Sequence, residues 1–67
     1  MDTISLAEFV KLARKKQKLN QRQLADVAGV GLRFVRDLEQ GKKTLRLDKV
    51  NQVLRMFGQE LGPVRMK

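Results

Sequence analysis

Residues 20–41 read NQRQLADVAGVGLRFVRDLEQG and contain the signals for two short helices joined by a tight turn. Asn20 and, three residues later, Gln23 have the spacing of a capping box, which predicts that a helix starts here. Gly29 adopts a positive φ at little cost, so it is expected to end that helix after about two turns. A following helix is predicted from Gly31 to about Gln40. The segment therefore predicts a helix, a tight turn and a second helix.

Amphipathic patterns extend the helical prediction to both sides of this segment. Upstream, Ser5 and Glu8 also have the spacing of a capping box. The apolar residues that follow lie at i, i+3, i+4 and i+7: Leu6, Phe9, Val10 and Ala13. Downstream, a helix is predicted from about Leu47 to Phe57, and Gly62 and Pro63 exclude a helix interior in the tail, residues 59–67. We therefore expect a single all-α domain over residues 1–67.

Composition narrows the classes of function. The 67 residues include 15 Lys and Arg, seven Asp and Glu, and neither Cys nor His, for a formal net charge of +8. A field of that sign attracts polyanions, and nucleic acid first among them. Without Cys, His or a glycine-rich phosphate loop we expect no catalytic set, no metal and no cofactor. The apolar runs are too short to span a membrane, and we expect a cytoplasmic protein.

The order of residues within 20–41 is more specific than the helix-turn-helix outline alone. The positions that carry the pattern are Gln21, Leu24, Ala25, Gly29, Val30, Val35, Leu38, Glu39 and Gly41. They resemble, without a gap, the motif of the lambda-Cro and XRE family of bacterial and phage repressors. The resemblance covers the chain from Phe9 to Phe57. It implies a lambda-repressor-like DNA-binding domain of four to five helices, with a helix-turn-helix core at 20–41.

The resemblance assigns base reading to the start of the motif's second helix and to its solvent side one turn later. In this sequence those positions are Gly31, Leu32, Arg33, Arg36 and Asp37. An Arg can form two hydrogen bonds with one guanine, which makes Arg33 and Arg36 the leading candidates, although solvated surface charges remain the alternative. Leu32 can press on a thymine methyl, whereas Gly31 has no side chain to read a base. Asp37 either accepts from a cytosine amine or orients an Arg.

Phosphate contacts are expected at the start of the motif's first helix and in the basic loop after its second. Gln21 is the leading phosphate anchor, because the family uses a Gln there and free N–H groups point the same way. The other candidates are Asn20, Gln40, Lys42, Lys43, Thr44 and Arg46. For the loop, an ordinary polar connection is the alternative. The resemblance further implies a structural ion pair between Arg14 and Glu39, which would join the first helix to the reading helix.

The C-terminal third resembles a particular group within the family. Residues 41–61 (GKKTLRLDKVNQVLRMFGQEL) are similar to the HipB-type antitoxins. The resemblance implies a homodimer that reads a palindromic operator in double-stranded DNA, represses its own operon and binds a HipA-like serine/threonine kinase toxin. It also implies that residues 59–66 supply a short strand that pairs across the dimer axis. Two alternative functions remain: a free-standing phage-type or housekeeping repressor without a toxin, and a basic protein-interaction or membrane-surface module.

Overall fold

A computed structural model describes residues 5–61 of the chain. Within them four helices follow one another: α1 (Leu6–Lys16), α2 (Gln21–Ala28), α3 (Leu32–Glu39) and α4 (Leu47–Arg55). No strand occurs between residues 5 and 61. The all-α prediction is therefore confirmed, with four helices in the described part of the chain.

The core lies where the four helices meet, and every helix contributes to it. Its buried side chains are Val10, Leu24, Ala25, Ala28, Val35, Leu38, Val50, Val53 and Leu54. Half-buried side chains pack around them, including Phe9 and Phe57, whose rings meet edge to face with centroids 6.4 Å apart. The buried residues of α2 are Leu24, Ala25 and Ala28, and those of α3 are Val35, Leu38 and Glu39. This packing holds α2 and α3 in a fixed relation to each other, and so sets how the exposed side of α3 is presented.

The helix boundaries follow the predicted local signals with two differences. At α2 the capping box is complete: the N–H of Gln23 donates to Asn20 Oδ1, and the N–H of Asn20 donates to Gln23 Oε1, both at 2.8 Å. Gly29 ends the helix with φ 74°, as expected. At α1 the box is only half formed, because the Glu8 carboxylate accepts from the Ser5 hydroxyl rather than from its backbone N–H.

The second difference concerns the end of α4 and the tail. The helix ends at Arg55, two residues before the predicted Phe57, and the chain turns through residues 56–58. It then returns towards the helix, where the N–H of Leu61 donates to Asn51 Oδ1 at 2.8 Å. Residues 59–61 are neither helix nor strand. The rest of the predicted tail strand lies outside the described residues.

The side chain of Gln52 bonds to the turn between α2 and α3. No sequence pattern predicted this role. Its Nε2 donates to the carbonyl oxygens of Ala28 and Gly29, at 3.2 and 3.5 Å. These carbonyls lie at the C-terminus of α2, where helix carbonyls lack partners within the helix. A side chain of α4 therefore caps α2 and fastens the turn to the rest of the domain.

We expect Gln52→Ala to lower the free energy of unfolding by about 1 kcal/mol, since it removes the donor from these carbonyls. For a domain of this size that corresponds to a fall in Tm of about 4–8 °C in thermal unfolding. Gln59→Ala is the control, because Gln59 is exposed and its side chain makes no hydrogen bond within the described residues. Equal Tm values for the two variants would contradict this role for Gln52.

Candidate nucleic-acid interface

The solvent side of α3 presents two arginines. The helix buries Val35 and Leu38 and turns Arg33 and Arg36 outward, and the Arg33 side chain is 88% exposed. At its N-terminus Gly31 is exposed and an added Cβ would meet open space. The predicted reading positions Gly31, Arg33 and Arg36 are therefore all exposed. Both arginine side chains are exposed and can reach a ligand that lies along the helix.

Asp37 lies between this surface and the loop that follows α3. Its carboxylate is 3.8 Å from Arg33 Nε and 3.5 Å from Lys42 Nζ. The Asp37 side chain is 21% exposed, less than either cation. Of the two expected roles, this geometry favours the orientation of Arg33 over acceptance from a base. Asp37 also links the reading helix to the basic loop.

Leu32 occupies a different position from the other reading candidates. It is half-buried and packs against the core, next to the first turn of α3. Only part of its side chain is left at the surface. A thymine contact by Leu32 stays a prediction, for the exposed part alone.

The loop from Gly41 to Arg46 is the second cationic part of the surface. Gln40, Lys42, Lys43 and Thr44 are all exposed. Arg46 is exposed too, but its guanidinium donates to both carboxylate oxygens of Asp48, at 3.2 and 2.8 Å. These hydrogen bonds from Arg46 hold the pKa of Asp48 below its ordinary value. In the free protein Arg46 is thus paired with Asp48, whereas Lys43 makes no ion pair within residues 5–61.

We expect Asp48→Asn to release Arg46 and to strengthen DNA binding severalfold at low salt. If the freed Arg46 reaches a phosphate, the slope of log K against log salt should steepen by about 0.9. Titrations of labelled duplex over a range of salt concentrations measure both quantities. Glu60→Gln raises the net charge by the same amount and serves as the control. An identical response of the two variants would mean that only the overall charge matters.

The start of α2 is tied to α1 and α3 through a buried carboxylate. Arg14 donates to Glu39 through Nε at 2.7 Å and Nη2 at 3.0 Å, and through Nη1 to the carbonyl of Leu19 at 2.9 Å. Gln21 Nε2 donates to the same carboxylate at 3.2 Å. The Glu39 side chain is only 2% exposed. The predicted ion pair of Arg14 and Glu39 is therefore part of a three-residue network. Its third member is Gln21, the leading candidate for a phosphate contact.

Asn20 is the remaining candidate at this end of α2. Its Oδ1 accepts from the N–H of Gln23 and so belongs to the helix cap. The Asn20 side chain is exposed, which leaves its Nδ2 group as the part that can donate to a ligand. Gln21, in the first turn of α2, is half-buried.

Between residues 5 and 61 no group of three acidic, Cys or His side chains could hold a metal ion. No helix there has the length and apolar character needed to cross a membrane.

Comparison with known proteins identifies the family. The helix-turn-helix family profile matches residues 10–63, which include α2 and α3 and the turn between them. Over 53 residues, which are 79% of this chain and 70% of the relative, the sequence is 53% identical to an uncharacterized HTH-type transcriptional regulator, y4mF, of Sinorhizobium fredii. The chain therefore belongs to the XRE family of helix-turn-helix proteins, the DNA-binding transcriptional regulators with a lambda-repressor-like fold.

Proposed function

We propose that the chain is a sequence-specific repressor that reads the major groove of operator DNA with α3. The observation that carries the proposal is the solvent-facing pair Arg33 and Arg36 on the second helix of the motif. Guanidinium groups at such positions can each form two hydrogen bonds with a guanine. The N-terminal residues of this helix are the ones that face base edges when it docks in the groove.

The surrounding groups fit contacts with the sugar-phosphate backbone. Gln21 and Asn20 lie at the N-terminus of α2, where free N–H groups and the helix dipole favour a phosphate. Lys42, Lys43 and Thr44 lie on the loop after α3 and are exposed. Phosphate contacts of this kind fix the register of a protein on the duplex without reading its sequence. We assign them the positioning role and assign the discrimination between sequences to α3.

We further propose that a homodimer binds a palindromic site. Two copies of α3 related by a two-fold axis would read half-sites about 34 Å apart, one turn of the double helix. Footprinting on the DNA upstream of the chain's own gene should show two symmetric protected half-sites. Inserting about 5 base pairs between them turns one half-site to the opposite face and should abolish tight binding. Equal affinity for the two spacings would contradict dimeric reading.

The finer proposal is that this repressor is the antitoxin of a toxin–antitoxin pair. Its support is the resemblance of residues 41–61 to the HipB-type antitoxins, which implies a HipA-like serine/threonine kinase as partner. In this proposal catalysis belongs to the kinase, and the chain acts in the cytoplasm on its own operon. Expression of the adjacent kinase gene should stop growth, and co-expression of this chain should restore it. Operator repression without an adjacent kinase would identify a free-standing repressor.

A basic protein-interaction module is the candidate from another class. It would use the same positive charge without discrimination between DNA sequences. Binding that is equally weak on all duplexes would favour it over both repressor proposals. The distribution of the cations counts against it, since they lie on several short helices and a loop rather than on one sustained amphipathic helix.

A further inference from the structure

The side chain of Gln21 connects the candidate DNA surface to a buried charge. Its Nε2 donates to Glu39 Oε1 at 3.2 Å, and the same oxygen accepts from Arg14 Nη2 at 3.0 Å. The second oxygen of Glu39 accepts from Arg14 Nε at 2.7 Å. The Glu39 carboxylate, on α3, thus accepts hydrogen bonds from side chains of α1 and α2.

This contact fixes which group of the Gln21 carboxamide lies against Glu39. A carboxylate only accepts hydrogen bonds, so it draws the NH₂ group of Gln21 and excludes its carbonyl oxygen. A free glutamine on the surface would sample both orientations and several rotamers. Gln21 is instead held with one N–H on Glu39, which leaves the second N–H of the same nitrogen as a donor in a defined place. Such preorganisation lowers the entropy lost when a ligand binds.

Glu39 cannot contact DNA itself, because its side chain is only 2% exposed. An effect of Glu39 on DNA affinity in a folded variant therefore does not come from a direct contact. Arg14 is 12% exposed and uses three of its five N–H groups inside the protein, two on Glu39 and one on the carbonyl of Leu19. Gln21 is the member of the network that lies at the first turn of α2, beside the candidate phosphate position.

We propose that Glu39 is a positioning residue for DNA binding, acting through Gln21 on one phosphate of the backbone. The inference rests on the proposed function, and it adds a buried group on the reading helix that sets a backbone contact on α2. Arg14 would hold the carboxylate in place, and the carboxylate would hold the Gln21 donor. The fold-stabilising pair and the contact with DNA are then parts of one network.

A double-mutant cycle tests the coupling. Affinity for the operator duplex is measured for the wild type, Gln21→Ala, Glu39→Gln and the double variant, at a temperature where each is folded by circular dichroism. We expect each single variant to bind about tenfold more weakly, the loss of one hydrogen bond to a charged group. The double variant should bind no more than about twofold worse than Gln21→Ala, because the second change has nothing left to remove. Gln21→Ala should keep the salt slope of the wild type, since Gln21 carries no charge.

The controls separate this coupling from loss of stability. Val53→Ala empties part of the core on α4, remote from the network, and should lower Tm without altering the affinity of the folded protein. Losses that multiply to about a hundredfold in the double variant would overturn the proposal, as would wild-type affinity in Glu39→Gln. Failure of the wild type to prefer its operator would instead overturn the proposed function.

A measurement on the wild type covers the case in which Glu39→Gln does not fold. The order parameter of the Gln21 side-chain NH₂ group, from ¹⁵N relaxation, should approach the value of about 0.85 found for rigid backbone. The exposed Gln59 gives the reference for a free side chain. A Gln21 value below about 0.6, in the range of flexible groups, would overturn the positioning role.

Discussion

Replacing either Arg33 or Arg36 by alanine is expected to weaken operator binding by about 5- to 150-fold. That range corresponds to the roughly 1–3 kcal/mol by which one bidentate Arg–guanine pair discriminates between bases. Both side chains lie on the exposed side of α3, so the fold and Tm should be nearly unchanged. Quantitative binding to the operator and to single base-pair variants measures the effect. Each arginine variant should lose its preference at one position of each half-site.

Lys43→Ala is the matched control for charge. Lys43 is an exposed cation of the loop and a candidate phosphate contact, so its loss should weaken binding to all duplexes alike and reduce the salt slope by about 0.9. The two arginine variants also lose one charge each, but unlike Lys43→Ala they should lose the preference for the operator over other sequences. A uniform loss of affinity in all three variants would show that α3 does not read bases.

Glu39→Ala is expected to unfold most of the protein at 25 °C. The change leaves the Arg14 guanidinium nearly buried without its carboxylate, and breaking a buried pair in this way costs about 3–5 kcal/mol. A single core of this size supplies about 3–5 kcal/mol in total, so little stability would remain. Denaturant unfolding followed by circular dichroism measures the loss. DNA binding should fall with the folded fraction, beyond the smaller effect assigned to Gln21.

The double variant Arg14→Met, Glu39→Met provides the control for this prediction. Replacement of a whole buried ion pair by apolar residues of similar volume is often neutral, because no unpaired charge is left. The double variant should therefore be clearly more stable than Glu39→Ala. A Glu39→Ala protein with the Tm of the wild type would contradict the structural role of the pair.

Local signals allowed much of the fold to be predicted from the sequence. The capping box of Asn20 and Gln23 and the positive φ of Gly29 depend only on residues near them in the chain, and both were correctly expected. The end of α4 was predicted two residues late, because an apolar residue at helical spacing continues the pattern after the helix has ended. Phe57 fits the periodicity and packs against the core from the turn beyond Arg55.

Contacts between distant residues were harder to predict. The Gln52 bonds to Ala28 and Gly29 join residues more than twenty positions apart, and no local pattern distinguishes Gln52 from an exposed polar residue of α4. The Gln21 bond to Glu39 was missed for the same reason. Arg46 pairs with Asp48, only two residues along the chain, and this pairing competes with the phosphate contact that was predicted for Arg46 in the basic loop. Which polar side chains bond to each other depends on the tertiary arrangement, and this arrangement cannot be inferred from the hydrophobic periodicity of the sequence.

The most direct test of groove reading by α3 is a salt series on two duplexes, the DNA upstream of the gene and a scrambled sequence of equal composition. The account predicts that binding to both falls steeply as salt rises, while the upstream duplex keeps at least a thousandfold advantage, about 4 kcal/mol, near physiological salt. Equal affinities for the two duplexes at every salt concentration would contradict it, since the charge of the chain would then account for all of its binding.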